Sequence, residues 1–301
     1  MTAISVIIPA YGVSEYLEKC IASVLNQSFQ NFELIVVDDN NPDTEARRFT
    51  EELLSRYSAM DERIIYIKHD CNKNGAVARN TGFALAKGKY VSLLDSDDEY
   101  MPDRLKKCFD VMESVEESVA GVYTGCEFRR SGKKYFEYKD VRAGNYLKET
   151  LACRFMFCTG SNIFVRKSVI DELNGFDGNF LRHQDYEFLV RLFEKYSLES
   201  ISEILVIKNN ENFNLPDIQK LIAIKEQYLK KYDYILKKLS AKDVDYVMHS
   251  NYIGIAENAM AENNFRIANE YYAKARKYGG LSTREVVKRM AYPVYSLLKK
   301  R

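Results

Sequence analysis

"YVSLLDSDDEYMPDRL", residues 90–105, is the stretch whose reading decides the fold. A short apolar run from Tyr90 to Leu94 ends in Asp95-Ser96-Asp97-Asp98, three carboxylates in four positions. The run has the length and make-up of a buried strand. Like charges crowded at a strand end repel one another, so something positive must meet them. Asp95 and Asp97 alternate and would share one side of an extended segment. Hard carboxylate oxygens suit Mg²⁺ or Mn²⁺, which then takes phosphate oxygens in its remaining positions. The bland alternative is a solvated loop that caps a helix at Pro102.

Before this stretch the chain alternates between strand and helix. "ISVIIPAY" (Ile4 to Tyr11) reads as a buried strand, followed by "SEYLEKCIASVLNQ" as a helix. Ser14 would cap that helix, with Leu17, Ile21, Val24 and Leu25 facing inward. "FELIVVDDNNPD" is a second strand, and Asn41-Pro42 start a helix that aligns Phe49, Leu53 and Tyr57. "RIIYIKH" is the third strand, "GAVARNTGFALAKG" a helix closed by Gly88, and "KYVSLLDS" the fourth strand. Pro102 then opens a helix carrying Leu105, Phe109 and Met112. This alternation predicts an α/β fold with a mostly parallel central sheet, flanking helices and right-handed crossovers. Such sheets bind ligands outside the carboxyl ends of their strands. Pro9 to Tyr11, Asp38-Asp39 and Asp95 to Asp98 would all lie on that edge and converge on one crevice.

After residue 118 the pattern loosens. "AGVYTGCEFRRSGKKYFEYK" predicts two strands around Ser131-Gly132, and "NIFVRKSVIDELNGF" a strand feeding a short helix that ends at Gly175. "QDYEFLVRLFEKY" is a helix with Phe188, Leu192 and Phe193 inward, and "SISEILVIK" is the last strand. From Pro216 onward only helical periodicity survives, with capping boxes at Ser240-x-x-Asp243 and Ser282-x-x-Glu285. Asn212 to Pro216 is therefore the expected boundary between a catalytic domain, 1–212, and an all-helical C-terminal region, 213–301.

The chain has 301 residues, 46% of them hydrophobic and 29% charged, which is the composition of a globular protein with a sizeable core. Lys+Arg of 44 against Asp+Glu of 43 gives no overall bias toward nucleic acid. The balance is uneven along the chain: Leu215 to Arg301 holds 17 basic and 9 acidic residues, the preceding part 27 and 34. Six scattered cysteines with no Cys-x-x-Cys pair, no leader segment and no membrane-length apolar run predict a reduced, cytoplasmic protein.

Three nucleotide-binding arrangements compete for the crevice. A dinucleotide fold needs Gly-x-Gly-x-x-Gly after the first strand, where this chain has Pro9-Ala10-Tyr11-Gly12-Val13. A phosphate-cradling Gly-x-x-x-x-Gly-Lys-Ser/Thr loop is also missing. What remains is an acidic strand end that binds phosphate through a cation.

"SVIIPAYG", "FELIVVDDNNPD", "NKNGAVARNTGFALAKGKYVSLLDSDD" and "NGFDGNFLRHQDYEFLVRL" occur in order over residues 2–210. Together they resemble family 2 glycosyltransferases, inverting nucleotide-sugar enzymes of the GT-A fold that often build bacterial surface polysaccharides. The resemblance implies that Asp39 bonds the nucleotide base, usually uracil, with Pro9, Ala10 and Tyr11 lining the same pocket. It implies that Arg79 helps hold the nucleotide, that Asp95 lies against the ribose beside Ser96, and that Asp97 ligates Mn²⁺ or Mg²⁺. Asp185 takes the place of the catalytic base; its competing role is a helix N-cap. Two departures stand out. Asn40-Asn41 replace the usual Gly-Ser, with little consequence expected because Asn tolerates the same turn. Gln184 stands where the family usually has Glu.

By this resemblance the chain is an enzyme, a hexosyl- or N-acetylhexosaminyltransferase. It would use a nucleotide-sugar donor, a UDP-sugar, and a glycan or lipid-linked oligosaccharide acceptor. A catalytically silent sugar-nucleotide-binding or scaffolding protein of the same fold is the alternative, and a nucleotidyltransferase a third. His69 and His249 are assigned no role, and His183 either touches the acceptor or lies on a surface loop. "YIGIAENAMAENNFRIANEYYAKARKYGG" reads as two helices around Asn263-Asn264, packed through Ala256, Ala259, Ala268 and Ala275. Ser282 to Arg301 holds six basic residues and one acidic one among apolar positions. This tail would lie on the inner membrane face, as a peripheral contact, or pack against its own domain or a homodimer partner.

Overall fold

The computed structural model describes residues 2–13, 15–209 and 217–288. In chain order its elements are β1 (Ile4–Ala10), α1 (Leu17–Leu25), β2 (Phe32–Asp38), α2 (Glu45–Met60), β3 (Ile64–Lys68), α3 (Gly75–Leu85) and β4 (Tyr90–Leu93). There follow β5 (Glu99–Tyr100), α4 (Arg104–Ser114), β6 (Val119–Arg130), β7 (Lys133–Tyr138), α5 (Leu147–Leu151), β8 (Phe164–Arg166), α6 (Lys167–Glu172), α7 (Gln184–Phe193) and β9 (Ser197–Asn209). The remaining helices are α8 (Ile218–Lys231), α9 (Asp233–Leu236), α10 (Ala241–Ala261) and α11 (Phe265–Arg276). Two compact units result: Met1–Asn145 with Met156–Phe213, and Tyr146–Phe155 with Asn214–Arg301. The expected boundary at 212–216 falls outside the described residues, apart from what that division says.

The first unit is built on one sheet of order β3-β2-β1-β4-β8-β6-β9-β5, with β7 paired to β6. The first four strands are parallel, with Ile4 opposite both Phe32 and Tyr90. β8 runs antiparallel to β4 and to β6, while β6 and β9 run parallel. Every residue of β2 is buried, as a strand covered on both faces requires. The parallel half places the ends of β1, β2 and β4 on one edge.

The Arg79-Asn80-Thr81-Gly82 segment of α3 shows why the motif has its shape. Gly82 faces β1, and a Cβ there would lie 2.4 Å from Ile7 Cγ2, so only glycine lets the helix approach the sheet this closely. Asn80 pairs its amide with the Phe176 backbone, accepting from N and donating to O at 2.8 Å each. Gly175, at φ +65°, leaves no room for a side chain against Asn80. The motif thus fixes the loop that leads into α7.

Several boundaries differ from expectation. α2 starts at Glu45, three residues after Pro42, because Asp43 takes φ +61° and Thr44 then caps the helix by accepting from Arg47 N. α3 ends at Leu85, not at Gly88. Gly88 instead permits a backbone crossing, since a Cβ would sit 2.5 Å from Ser5 N, and its N–H donates to Ser5 Oγ. Ser14 lies outside the described residues, and α1 starts at Leu17 without a side-chain cap. β5, a two-residue strand paired with the end of β9, has no signal in the sequence. Cys20, Cys108 and Cys126 are buried as expected of small hydrophobes, but Cys71 is exposed.

In the second unit α10 and α11 pack around buried Ala256, Ala259, Ala268 and Ala275, with the break at Asn263, φ +59°. Asn251 of α10 donates to Leu151 O, tying α5 to this helical body. The expected capping box at Ser282 closes both ways, Glu285 N donating to Ser282 Oγ and Ser282 N to Glu285 Oε2, while at Ser240 Asp243 N donates to Ser240 Oγ and that hydroxyl to the Asp243 carboxylate. The tail beyond Lys288 lies outside the described residues. Among the described residues, no helix is long and apolar enough to cross a membrane.

Candidate active site

A cavity of about 610 Å³ opens at the carboxyl ends of β1, β2 and β4. Pro9, Ala10 and Tyr11 form one wall, and Tyr11 is 64% exposed. Asp39 lies at one end, with Arg79, Asp95, Ser96 and Asp97 along the far side. Pro9, Ala10, Tyr11, Asp39, Arg79, Asp95, Ser96 and Asp97, the nucleotide and metal residues implied by the resemblance, thus line one cavity, and Asp185 does not.

The Asp38-Asp39 pair divides its work. Asp38 is fully buried, accepting from Asn40 N at 3.0 Å, Asn40 Nδ2 at 2.8 Å and the Tyr66 hydroxyl at 2.6 Å. It pins the turn after β2. Asp39 lines the cavity with its carboxylate held by Lys73 N at 2.8 Å and Asn72 Nδ2 at 2.9 Å. His69 Nδ1 donates to it at 2.7 Å, while His69 Nε2 meets the Thr81 hydroxyl at 2.9 Å. His69, given no role from the sequence, is thus buried against the residue expected to read the base. The two asparagines do more than permit a turn: Asn40 Oδ1 accepts from Gly12 N and Asn41 Oδ1 from Asn72 N.

The three carboxylates that follow β4 meet different partners. Asp95 accepts from Arg79 Nη2 at 2.6 Å. Burial alone would push its carboxyl up, but Arg79 and Lys208 outweigh this and hold it below the ordinary value. Asp98 is fully buried and receives Ser161 Oγ at 2.6 Å, Thr159 Oγ1 at 3.1 Å and Asn209 N at 3.1 Å. Lys208 Nζ stands 3.5 Å from it. No side chain among the described residues donates to the Asp97 carboxylate, and burial, with Asp95 beside it, pushes that carboxyl up. Ligand oxygens of the three lie within 4.8 Å of one another. With Asp98 saturated, Asp97 and Asp95 Oδ2, which Thr159 Oγ1 meets at 3.4 Å, are what a metal could take. One or two carboxylates completed by phosphate oxygens fit Mg²⁺ or Mn²⁺.

Asp185 does not line this cavity. It is the second residue of α7 and lies beside Gly160. Its Oδ1 is shielded from solvent and takes no hydrogen bond among the described residues, so it is no helix cap. His183, with φ +59°, precedes the helix and gives it no side-chain cap. Burial pushes the Asp185 carboxyl up and Asp95 adds to this, while Arg79 and Lys208 oppose. A half-buried carboxylate with a raised pKa is a suitable proton acceptor. Gly160 leaves it room: a Cβ there would stand 3.0 Å from Asp185 Oδ1. Gln184 accepts from Arg79 Nη1 at 3.1 Å and donates to Phe180 O at 2.7 Å.

Sequence reasoning passed over His69, Asn72, Thr159, Ser161 and Lys208. Lys208 ends the apolar "ILVIK" run, where a basic residue breaking a buried strand was the available signal.

Residues 5–173 match the profile of glycosyl transferase family 2. An uncharacterized glycosyltransferase of Methanocaldococcus jannaschii is 30% identical over 246 residues, 78% of either chain. The amylovoran biosynthesis glycosyltransferase AmsB of Erwinia amylovora is 33% identical over 193 residues, and the match spans 62% of either chain. The crystal structure of TarS residues 1–349 from S. aureus, in complex with UDP, superposes with a TM-score of 0.58 at 15% identity, covering 96% of this chain and 92% of that one. The structural likeness supports the GT-A fold; the sequence matches reach further, and by them the chain belongs to glycosyl transferase family 2.

Proposed function

We propose that this chain is an inverting glycosyltransferase. It would move a sugar, a hexose or N-acetylhexosamine, from a UDP-sugar to a hydroxyl of a glycan or lipid-linked oligosaccharide. Relatives in polysaccharide biosynthesis support the acceptor class, among them a putative teichuronic acid glycosyltransferase of Bacillus subtilis. The chain spans 46% of that relative's length. TarS structures in complex with UDP and with UDP-GlcNAc support the donor class.

The observation that carries this reading is the pair of carboxylates, Asp95 and Asp185, whose charges both act on Arg79. Asp95 is fixed on the cavity wall by a 2.6 Å ion pair. Asp185 keeps an unpartnered oxygen and a raised pKa. In the proposed step the acceptor oxygen bonds to the anomeric carbon on the face opposite the diphosphate, and its proton passes to Asp185. The bond from the anomeric carbon to the diphosphate oxygen breaks, its electron pair leaves with the diphosphate, and configuration inverts. Asp39 would hold the base, Pro9 to Tyr11 would line its pocket, and Ser96 would stand beside the ribose with Asp95. A divalent metal at Asp97 would supply positive charge to the departing diphosphate.

The decisive experiment is incubation with a panel of nucleotide sugars and glycan acceptors in Mn²⁺. Release of UDP coupled to a glycosidic bond of inverted configuration supports the reading. Pyrophosphate exchange would make the chain a nucleotidyltransferase, and binding without turnover a scaffold. Placement of the enzyme at the inner membrane face through Ser282 to Arg301 belongs to the same proposal. It predicts salt-sensitive co-sedimentation with anionic vesicles, and self-association without vesicle binding would favour a homodimer.

A further inference from the structure

Lys208 is the penultimate residue of β9, and its side chain reaches back into the acidic corner of the cavity. The ammonium lies 3.5 Å from Asp98 Oδ2 and donates to Thr159 Oγ1 at 3.3 Å. Its side chain is 22% exposed, and that exposed part faces the cavity that Asp95 and Asp97 also line. Asp98 has spent its acceptor positions on Ser161, Thr159, Asn209 and Lys208 itself, so it serves as an anchor for this lysine. Burial alone would push the ammonium down, but Asp98, Asp95 and Asp97 outweigh it and keep the group charged.

A lysine with a flexible four-carbon stem usually loses much rotamer freedom when it grips a ligand. Here the Asp98 and Thr159 anchors have already taken that freedom away. The charge balance matters as well. Arg79 and Lys208 set two positive charges among the three carboxylates, and burial pushes the Asp97 and Asp98 carboxyls up, which thins the negative charge of the corner further. A divalent cation alone is then weakly attracted, and a diphosphate alone meets two fixed cations.

We propose that Lys208 is a built-in cation of the donor site, its ammonium contacting a diphosphate oxygen beside the place of the divalent metal. Diphosphate binding then persists in weakened form without metal, and Lys208 opposes binding of metal alone. Metal and diphosphate bind best together, because each supplies the charge the other lacks. This inference rests on the reading that the cavity takes a nucleoside diphosphate.

The test uses three probes on the full chain: UDP and inorganic pyrophosphate in EDTA, followed by calorimetry, and Mn²⁺ without nucleotide, followed by its electron paramagnetic resonance signal. Lys208→Met should weaken both diphosphates on the order of tenfold, the worth of one charge-assisted hydrogen bond. The same variant should bind Mn²⁺ alone roughly tenfold more tightly, since a positive charge a few ångström away is gone. Lys208→Arg should restore metal-free diphosphate binding. Should the methionine variant not fold, Lys208→Gln, which keeps a donor toward Asp98 without charge, reads out the same differences. Unchanged diphosphate binding in EDTA would leave Lys208 as a counter-ion of Asp98 only and overturn the proposal. A wild type that binds neither UDP nor pyrophosphate, even with Mn²⁺, overturns the donor reading and this inference with it.

Discussion

Arg79 joins Gln184 to Asp95: one guanidinium nitrogen donates to Gln184 Oε1 at 3.1 Å and another to Asp95 Oδ1 at 2.6 Å. The neutral amide lets Arg79 spend its charge on Asp95 and on the field at Asp185. Glutamate at 184 would compete for Arg79 and add a like charge next to Asp185, raising the base's pKa. Gln184→Glu should therefore move the acid limb of the kcat/KM profile upward by about half a unit or more. An acid limb that stays put would show that Arg79 does not couple the two positions.

Removing the base gives a sharper result. Asp185→Asn should lower turnover by roughly 10² to 10⁴, the range for a lost general base, while UDP affinity stays within about twofold. The pH dependence follows from the raised carboxyl. Asp185 accepts a proton only when ionised, so activity is present above its pKa and lost as pH falls through it. That loss should come at a higher pH than an ordinary carboxylate near 4 would give. Turnover within a few-fold of wild type in the Asn variant would remove Asp185 from the chemistry.

Gly160→Ala tests how tightly that carboxylate is placed. The added methyl carbon would stand 3.0 Å from Asp185 Oδ1, so the carboxylate must give way by a few tenths of an ångström. We expect kcat to fall about tenfold, in keeping with the cost of small misplacements at a reacting centre, and the UDP dissociation constant to be unchanged. Equal loss in both would mean that the turn carrying Thr159 and Ser161 has moved as a whole.

The sheet was legible because its strands are near-continuous apolar runs and its motifs fall at strand ends. Asp39, Arg79 and Asp95 reach one cavity for that reason alone. The answer to the carboxylate cluster was legible only in part. A metal was the available local explanation for Asp95 to Asp98, yet the fold also brings two fixed cations, Arg79 from α3 and Lys208 from β9. Lys208 stands 110 residues after Asp98, and no periodicity links the two. The place of His69 is illegible for the same reason: a lone histidine shows no partner in sequence, and Asp39 and Thr81 meet it only once β3 lies beside β2. Gly160, in a turn without a strong pattern, gave no signal toward Asp185.

The metal prediction concerns Asp97, the carboxylate to which no side chain among the described residues donates. Asp97→Asn should abolish the gain in UDP affinity that Mn²⁺ brings and lower turnover by on the order of 10² or more, because the anchoring charge is lost. UDP binding in EDTA should change little or rise slightly, since a negative charge near the diphosphate has gone. A Mn²⁺-dependent gain equal to that of the wild type would move the metal away from Asp97.

The last prediction separates the base end of the donor from its diphosphate end. Asp39 is held by Lys73 N, Asn72 and His69, and of the two side chains only His69 is itself fixed from behind, by Thr81. His69→Ala should loosen Asp39, which Lys73 N and Asn72 would still hold, and weaken UDP binding roughly five- to tenfold, the worth of one hydrogen bond to a charged group. Pyrophosphate carries no base, so its affinity should not change, and kcat at saturating donor should stay within about twofold. His69→Gln, which can still donate to the Asp39 carboxylate, should recover part of the loss. A small fall in thermal stability is expected as well, because the Thr81 hydroxyl keeps only its bond to Val77 O, and it should be equal with and without UDP once the affinity change is accounted for. If pyrophosphate binding falls as much as UDP binding, the effect has spread through α3 to Arg79, and the assignment of Asp39 to the base end is wrong.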